Sequence, residues 1–296
     1  MQAKKLDLPT FAWGTRTYVM GILNLTPDSF SGDGLMQARG NMPELAGLLA
    51  MEQARRFVNA GVSILDVGGE STRPGSAPVN ADEEATRVLP VIRLLAEAFP
   101  GVPISVDTYK ASIAEAALEA GATMVNDVWG LRADPEMGAV VAQYGVPVIL
   151  MHNRSKPANA EIEARLGGRY VGVHYENLLE DVKQELMASV ALAHAAGISD
   201  EQIILDPGIG FGKTVPQSLE LLDRLDEIKA LGYPVLLGPS RKSFIGYTLD
   251  LPPEQRVEGT AATVAIGIAR GADIVRVHDV VAMVRVAKMT DAIVRR

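Results

Sequence analysis

The feature that most constrains this sequence is a repeated alternation between short apolar segments and longer helical segments. Eight β-branched, apolar segments each precede a helical segment, and most helical segments stop at a Gly, the residue that helix C-caps prefer. Such alternation is typical of parallel strands joined by crossover helices. The predicted strands cover residues 20–24, 63–68, 103–106, 123–125, 147–151, 202–205, 234–237 and 274–277.

Eight such units leave no gap for a second domain, so the sequence predicts one α/β domain over residues 1–296, a closed (β/α)8 or TIM barrel. Residues 1–17 are expected to be an N-terminal extension or a short hairpin. A doubly wound open sheet is the alternative, but it would usually contain fewer strands and bind its ligand at one switch point. The predicted helices cover residues 45–60, 81–99, 111–120, 134–144, 175–196, 216–231, 254–270 and 280–294.

Two segments are predicted to lack regular structure. Residues 32–44 are rich in Gly, Met, Gln and Asn, which indicates a long loop, and residues 155–168 are polar and irregular.

Composition excludes several classes of function. The formal net charge of -8 argues against general binding of nucleic acid or anionic membranes, which needs a basic face. The absence of Cys excludes disulfides, a thiolate zinc site and a Cys nucleophile. The first residues lack the apolar core of a signal peptide, and the longest small apolar run, 261–269, is too short to span a bilayer. We therefore expect a soluble cytoplasmic protein.

Polar side chains follow the predicted strands, and the carboxyl ends of barrel strands are where chemistry takes place. A single strand-end Asp is most often the N-cap of the next helix. Eight independent caps, however, would not also supply Arg73, Lys213, Lys242 and Arg276 on the same face. The strand ends are Asn24, Asp66, Asp107, Asn126–Asp127, Met151–His152, Asp206, Ser240–Lys242 and Arg276–His278.

The strand-end residues fall into chemical groups. One group suits the alternating donors and acceptors of a flat nitrogen heterocycle, and consists of Asp107, Asn126 and Asp206. A second group suits anions, since Arg can bind two oxygens at once; it consists of Arg73, Lys242, Arg276 and His278. Asn24, with its Asp and Thr neighbours, could hold Mg2+ on a phosphate group. Together these groups indicate a heterocycle, a diphosphate-like leaving group and a second, acidic substrate.

Two further patterns do not define sites of their own. Residues 208–214 resemble a P-loop, but Pro207 stands where that motif needs a Gly, and the dinucleotide pattern also fails. The Gly residues are better explained as letting the backbone approach a planar ligand, with Phe211 as a wall. His174 and His194 lie in the long predicted helix without a paired ligand, so we interpret them as surface or packing residues.

Seven motifs, in order between about residues 18 and 280, together resemble the dihydropteroate synthases. Related pterin-binding methyltransferases share the barrel and the pterin Asp and Asn, but not Thr-Arg-Pro-Gly together with Ser-Arg-Lys-Ser. The motifs are Asn-Leu-Thr-Pro-Asp-Ser-Phe (24–30), Gly-Gly-Glu-Ser-Thr-Arg-Pro-Gly (68–75), Ser-Val-Asp-Thr (105–108), Asn-Asp (126–127), Asp-Pro-Gly-Ile-Gly-Phe-Gly-Lys (206–213), Ser-Arg-Lys-Ser (240–243) and Arg-Val-His-Asp (276–279).

This resemblance implies a reaction of folate biosynthesis. The enzyme would join 6-hydroxymethyl-7,8-dihydropterin diphosphate to p-aminobenzoate, forming 7,8-dihydropteroate and releasing diphosphate. The implied pterin-binding residues are Asp107, Asn126, Met151, Asp206, Phe211 and Lys242. The implied diphosphate-binding residues are Asn24, Arg276 and His278, with Mg2+ as cofactor near Asn24. The residues implied to enclose p-aminobenzoate are Phe30, Thr72, Arg73, Pro74 and Ser243. The implied catalytic residues are Asp206, Lys242, Arg276, His278 and Asp33.

The resemblance has one departure and leaves alternatives open. The family loop commonly reads Ser-Phe-Ser-Asp-Gly-Gly, whereas here Asp33 is displaced by one place, so Asp28 is the fallback for its role. A corrinoid-dependent pterin methyltransferase would leave Arg73 and Lys242 unexplained. A non-catalytic pterin-binding paralogue would be expected to lack Arg73, Lys242 or Arg276, and all three are present.

The resemblance also implies a homodimer through the last two helices. These helices carry apolar stretches at 261–268 and 280–289, which could instead cover the barrel.

Overall fold

A computed structural model describes residues 8–26, 43–72 and 76–296 as a closed parallel barrel with surrounding helices. Eight strands form one parallel sheet in the order β8-β5-β4-β3-β2-β1-β10-β9. A parallel bridge between Leu205 and Val235 brings β8 beside β9 and completes the circle. The barrel strands are β1 (Tyr18–Asn24), β2 (Ile64–Gly68), β3 (Ile104–Asp107), β4 (Met124–Asp127), β5 (Val148–Met151), β8 (Ile203–Asp206), β9 (Leu236–Leu237) and β10 (Ile274–Val277). The predicted (β/α)8 barrel is confirmed, and the open-sheet alternative is wrong.

The helices surround the sheet, and several end as their sequences predict. Gly121 and Gly145 adopt left-handed backbone at the ends of α3 and α4, with φ of 117° and 66°. Asn80 caps α2 by accepting from the Glu83 N–H. The helices are α1 (Pro43–Ala60), α2 (Ala81–Ala98), α3 (Ala111–Ala120), α4 (Met137–Tyr144), α5 (Leu178–Ala195), α6 (Val215–Asp223), α7 (Leu225–Lys229), α8 (Ser243–Leu249), α9 (Val257–Ala269) and α10 (Val280–Val294).

Three predictions about local structure are wrong. Residues 155–168 are not irregular throughout, because β6 (Ala160–Glu163) and β7 (Gly167–Tyr170) form an antiparallel hairpin. This hairpin is too short and too exposed to show a clear apolar alternation. The predicted helix 216–231 is broken at Arg224 into α6 and α7. In addition, α8 was not predicted, because its seven residues give too little helical periodicity. His174 precedes α5 and does not lie in it.

The amino-terminal end of the barrel is filled by an apolar layer of inward-facing side chains. Phe11 and Trp13 stack on each other with ring centroids 4.7 Å apart and pack against this layer from outside the sheet. The described residues 8–17 therefore form an extension and contain no hairpin. The layer consists of Tyr18, Met20, Ile64, Met124, Ile149, Ile204, Leu236 and Ile274. Because strand side chains alternate, residues two positions further on also face the interior, and many of those are polar.

None of the helices in the described ranges is long and apolar enough to cross a membrane.

The buried guanidinium of Arg256 joins three separate segments. It is 2% exposed and donates to the backbone oxygens of Leu251, Arg241 and Leu166, each at 2.9 Å. Leu166 lies in the turn of the hairpin, Leu251 follows α8, and Arg241 precedes α8. Gly246 makes room for the group, since a Cβ there would lie 2.0 Å from the Arg256 Nη2. Arg256 therefore ties the hairpin and α8 to the rim of the barrel.

We expect Arg256→Met to lower the free energy of unfolding by about 3 kcal/mol, because it leaves buried carbonyls without donors. The control is Arg270→Met, which removes an exposed ion pair with Asp223 and should cost about 1 kcal/mol or less. Urea unfolding followed by circular dichroism measures both. Equal losses in the two variants would contradict the structural role of Arg256.

Candidate active site

Strand register aligns four residues across neighbouring strands at the carboxyl end of the barrel. Asn24 of β1 pairs with Gly68 of β2, Gly68 pairs with Asp107 of β3, and Asp107 pairs with Asn126 of β4. A Cβ at Gly68 would lie 3.4 Å from the Asp107 Cβ, so this position has little room for a side chain. Three of the predicted site residues, Asn24, Asp107 and Asn126, are thus brought into one row.

Arg276 of β10 reaches across the barrel interior to two carboxylates. Its Nε lies 2.6 Å from Asp66 Oδ2 and its Nη2 lies 2.5 Å from Asp107 Oδ2. Asp66 is fully buried, and the Arg276 side chain is 22% exposed. Burial alone would lower the pKa of Arg276, but the two carboxylates outweigh burial and keep that pKa above its ordinary value. Arg276 is therefore a fixed cation at the centre of the rim.

The part played by Asp66 was missed by the sequence analysis, which listed it only as a strand end. Its signal was an acid inside the otherwise apolar strand Ile-Leu-Asp-Val-Gly. Such an acid needs a partner when buried, and Arg276 is that partner. The second oxygen, Oδ1, has no hydrogen-bond partner among the residues that the structure describes.

Asp107 titrates far from its usual range. Burial raises its pKa to about 7, and the charge of Arg276 opposes this rise while Asp66, Glu84 and Asp127 add to it. The buried Asp66 and the half-buried Asp107 share the single guanidinium of Arg276, so the cluster carries excess negative charge when both are ionised. The proton on Asp107 removes that excess near neutral pH.

Asp206 ends β8 beside Met151 of β5, its register partner. Its Oδ1 accepts a hydrogen bond of 2.7 Å from the Gly208 N–H. Burial raises the pKa of Asp206, while the Gly208 N–H and the Lys242 ammonium group oppose this rise. A buried carboxylate with one oxygen held by backbone keeps the other oxygen for a ligand.

Lys242 lies over the loop that follows Asp206. Its Nζ is 3.8 Å from the centroid of the Phe211 ring and donates to the Ile209 carbonyl at 2.5 Å. Burial lowers its pKa to about 7, although Asp206 attracts the charged form. Gly210 permits this approach, since a Cβ there would lie 3.0 Å from the Lys242 Cδ. The structure thus places Lys242, Phe211 and Asp206 together.

His278 and Ser240 meet next to Arg276. His278 Nδ1 lies 3.0 Å from Ser240 Oγ, and the His278 backbone N–H donates to the same oxygen at 3.1 Å. Ser243 is half-buried in the first turn of α8. These contacts orient the imidazole at the carboxyl end of β10.

The two segments expected to enclose p-aminobenzoate, after β1 and after β2, are described only in part. Thr72 is half-buried at the edge of the described residues. Arg73, Pro74, Phe30 and Asp33 lie outside the described residues, as does Asp28.

An ion-pair cluster anchors the start of the segment that follows β2. Tyr109 donates to Glu70 Oε1 at 3.0 Å, and the Lys110 ammonium group pairs with both Glu70 and the buried Glu84. Arg87 donates to the Gly69 carbonyl at 2.7 Å. This cluster fixes where the chain leaves β2 and enters the loop.

Metal binding by protein groups alone is not supported in the described ranges, where no group of three or more His, Asp or Glu could hold a metal ion. His194 pairs with Asp200 on the surface at 2.8 Å instead. Asn24 offers one amide oxygen at the rim. That donor fits Mg2+, which commonly takes one or two protein oxygens and completes its shell with substrate phosphates and water.

Lys213 was predicted to lie on the same face as the other rim cations, and this prediction is wrong. It is 2% exposed and points into the protein, where it contacts His152. The close approaches of Gly208 and Gly212 are likewise to the protein's own backbone, at His152 and Arg154.

Comparison with known proteins shows the family of this chain. The profile of the pterin-binding enzymes matches residues 20–278. A dihydropteroate synthase of Clostridium beijerinckii is 50% identical over 99% of this chain and 100% of its own length. A crystal structure of a Clostridium difficile dihydropteroate synthase in the presence of pteroic acid has a TM-score of 0.85 at 48% identity, covering 97% of this chain and 100% of that one. A Xanthomonas albilineans dihydropteroate synthase with 4-aminobenzoic acid has a TM-score of 0.81 at 39% identity, covering 95% and 94%.

The chain therefore belongs to the pterin-binding enzymes, as the resemblance of its seven motifs implied. Within that family it is one of the dihydropteroate synthases, which are transferases of folate biosynthesis.

We expect the acid–base behaviour of Asp107 to appear in stability measurements. Its folded pKa of about 7 lies above the ordinary value of 3.8, so the folded protein binds this proton more tightly than the unfolded chain. The free energy of unfolding therefore falls as pH rises from about 4 to about 7, by up to about 4 kcal/mol from this residue. In Asp107→Asn, the free energy of unfolding should fall less over this pH range, because the contribution of this carboxyl is removed.

Urea unfolding at pH 4.5 and 7.5 measures the difference between Asp107→Asn and the wild type. The control is Asp223→Asn, an exposed carboxylate, which should follow the wild type. The same pH dependence in Asp107→Asn and in the wild type would show that Asp107 is ionised throughout this range.

Proposed function

We propose that the carboxyl-end rim of this barrel catalyses the condensation of 6-hydroxymethyl-7,8-dihydropterin diphosphate with p-aminobenzoate. The observation that carries the proposal is the convergence of a fixed cation, Arg276, with the acids Asp107 and Asp206 and with Lys242. The relatives with pteroic acid and with 4-aminobenzoic acid support the choice of substrates.

The pterin half of the reaction rests on the buried acids and amide. Asp107, Asn126 and Asp206 present oxygen and amide groups that match the N–H and carbonyl edges of a pterin, with Met151, Phe211 and Lys242 as its walls. These groups lie where little water competes, so each hydrogen bond to the ligand discriminates strongly against other heterocycles. Burial lowers the pKa of Lys242, which eases its approach to the flat face of the pterin ring.

The diphosphate half rests on Arg276, His278 and Asn24. A guanidinium has five N–H donors. In the guanidinium of Arg276, the Nε donor binds Asp66 and one Nη2 donor binds Asp107. The other N–H groups remain for phosphate oxygens, and His278 can add a further donor. Mg2+ bound near Asn24 would neutralise charge on the diphosphate as it leaves.

The residues then act on two charges that develop together. The C–O bond from the pterin methylene to the diphosphate breaks, and the electron pair leaves with the diphosphate. Arg276 and His278 stabilise that negative charge. Asp206 stabilises the cation delocalised over the pterin, and Asp33 is proposed to assist. The amine of p-aminobenzoate forms the new C–N bond and releases a proton, so it needs positioning more than activation.

The proposal is tested by mixing the protein, Mg2+, the pterin diphosphate and p-aminobenzoate, and following diphosphate release. We expect release that depends on p-aminobenzoate and falls when EDTA removes Mg2+. Absence of diphosphate release with both substrates and Mg2+ present would contradict the proposed synthase function. Release unaffected by EDTA would remove Mg2+ from the proposal and leave the rest.

We expect Arg276→Met to weaken binding of diphosphate by more than about 2 kcal/mol, the scale for loss of a charge-assisted hydrogen bond. Arg276→Lys keeps the charge but not the separate donors for Asp66 and Asp107, so we expect an intermediate loss. Isothermal titration calorimetry with inorganic diphosphate measures both variants. Unchanged affinity in Arg276→Met would contradict the placement of the leaving group.

A homodimer through the last helices also remains a prediction. The outer surfaces of α9 and α10 expose large apolar side chains, which support it. These are Ile266, Val281, Met289 and Ile293, exposed by 49%, 47%, 63% and 52%. The cytoplasmic location likewise stays a prediction of the sequence.

A further inference from the structure

Lys213 ends the Gly-rich loop after β8, and its ammonium group is buried among three acceptors. Its Nζ lies 3.0 Å from the Gly208 carbonyl oxygen, 3.2 Å from the Phe211 carbonyl oxygen and 2.9 Å from His152 Nδ1. An ammonium group has three donors, so all three are used inside the protein. Lys213 is thus turned away from the rim where Lys242 and Arg276 lie.

The third acceptor depends on which nitrogen of His152 carries the proton. His152 Nε2 lies 3.1 Å from Glu185 Oε2, a close contact although not an aligned hydrogen bond. A proton on Nε2 faces that carboxylate favourably, whereas a lone pair there would be repelled. The Nδ1 atom is then left as an acceptor for Lys213. Glu185 is itself held by Arg154, whose Nε donates to Oε1 at 2.7 Å.

The charges of these groups agree with that arrangement. Burial and the charge of Lys213 lower the pKa of His152 to about 4, so the imidazole is neutral. Contact with His152 and hydrogen bonds from Arg154 lower the pKa of Glu185 to about 2, so the carboxylate is charged. Burial lowers the pKa of Lys213 well below its ordinary value, while Asp206 and Glu185 oppose that fall. The three acceptors around Nζ suit the charged form, which has three donors, and the neutral imidazole between Lys213 and Glu185 orients both.

Both carbonyls that Lys213 binds belong to residues whose other groups shape the pterin half of the site. Gly208 donates its N–H to Asp206, and Phe211 lies under the ammonium group of Lys242. Gly208 has a φ of 64°, and a Cβ there would lie 1.8 Å from the His152 carbonyl oxygen. The loop is therefore pressed against the end of β5, and Lys213 binds its inward-facing carbonyls.

We propose that Lys213, oriented by His152 and Glu185, is a positioning residue for pterin binding. It contacts no substrate. It fixes the backbone that presents the Gly208 N–H to Asp206 and the Phe211 ring to Lys242. This inference rests on the proposed function, because it assigns the loop to the pterin half of the site.

The main test is Lys213→Met, which keeps the length of the side chain and removes the three donors. We expect the KM for the pterin diphosphate, and its dissociation constant by calorimetry, to rise by about tenfold or more. The KM for p-aminobenzoate should change by less than about twofold, because the residues proposed to enclose it lie on other segments of the chain. The matched control is Lys229→Met, whose ammonium group also binds a carbonyl and an acid, Tyr233 O at 3.2 Å and Asp273 at 2.7 Å.

A second pair of variants keeps Lys213 and changes His152; both variants lose the Nε2 contact with Glu185, so the pair differs in whether an acceptor faces Lys213. His152→Asn places an amide oxygen near the position of Nδ1 and should retain pterin affinity close to that of the wild type. His152→Leu has a similar volume and no acceptor, so we expect pterin affinity to fall several-fold. This pair decides the question if Lys213→Met does not fold.

Three outcomes would overturn the inference. The first is a folded Lys213→Met that binds the pterin diphosphate within about twofold of the wild type. The second is an equal loss in Lys229→Met, which would indicate general destabilisation. The third is equal affinity in His152→Asn and His152→Leu. Failure of the wild type itself to bind the pterin diphosphate would instead contradict the proposed function.

Discussion

The site depends on one half-buried cation, Arg276, held between Asp66 and Asp107 inside the barrel. Placing charges in the interior is expensive unless each is paired with good geometry. Here the barrel provides the pairing: the side chain from β10 crosses in front of β1 and meets acids from β2 and β3. The apolar layer beneath excludes water from one side, which strengthens every electrostatic contact above it.

The low-dielectric surroundings of that pairing explain why the neighbouring groups titrate unusually. Burial raises the pKa of Asp107 to about 7, and the nearby carboxylate of Asp66 adds to that rise while Arg276 opposes it. Burial and the charge of Arg276 lower the pKa of Lys242 to about 7, although Asp206 opposes this. An acid and a base that both titrate near neutrality can adjust their charge when an anionic substrate arrives. Clustering of perturbed groups at one rim is typical of an active site.

Two lysines act on the same Gly-rich loop from opposite sides. Lys242 faces the site and touches the Phe211 ring, whereas Lys213 is buried behind the loop and binds backbone carbonyls. The sequence analysis grouped both with the rim cations, since both follow strands and carry the same charge. Strand-end position alone does not tell which way a loop side chain turns, because that direction depends on the acceptors that other segments bring.

The sequence by itself determined the barrel and most of the strand-end residues, because strand and helix periodicity and Gly stops are local signals. It also determined the family, through motifs that lie in order along the chain. Tertiary structure alone decided the partners: Asp66 and Arg276 are 210 residues apart, and Arg256 reaches Leu166 across 90 residues. It also revealed the exposed hairpin and the short helix α8, whose sequences carry too little periodicity. Partner choice requires the assembled sheet, since the order β3-β2-β1-β10 brings strand ends that are distant in sequence within hydrogen-bond distance.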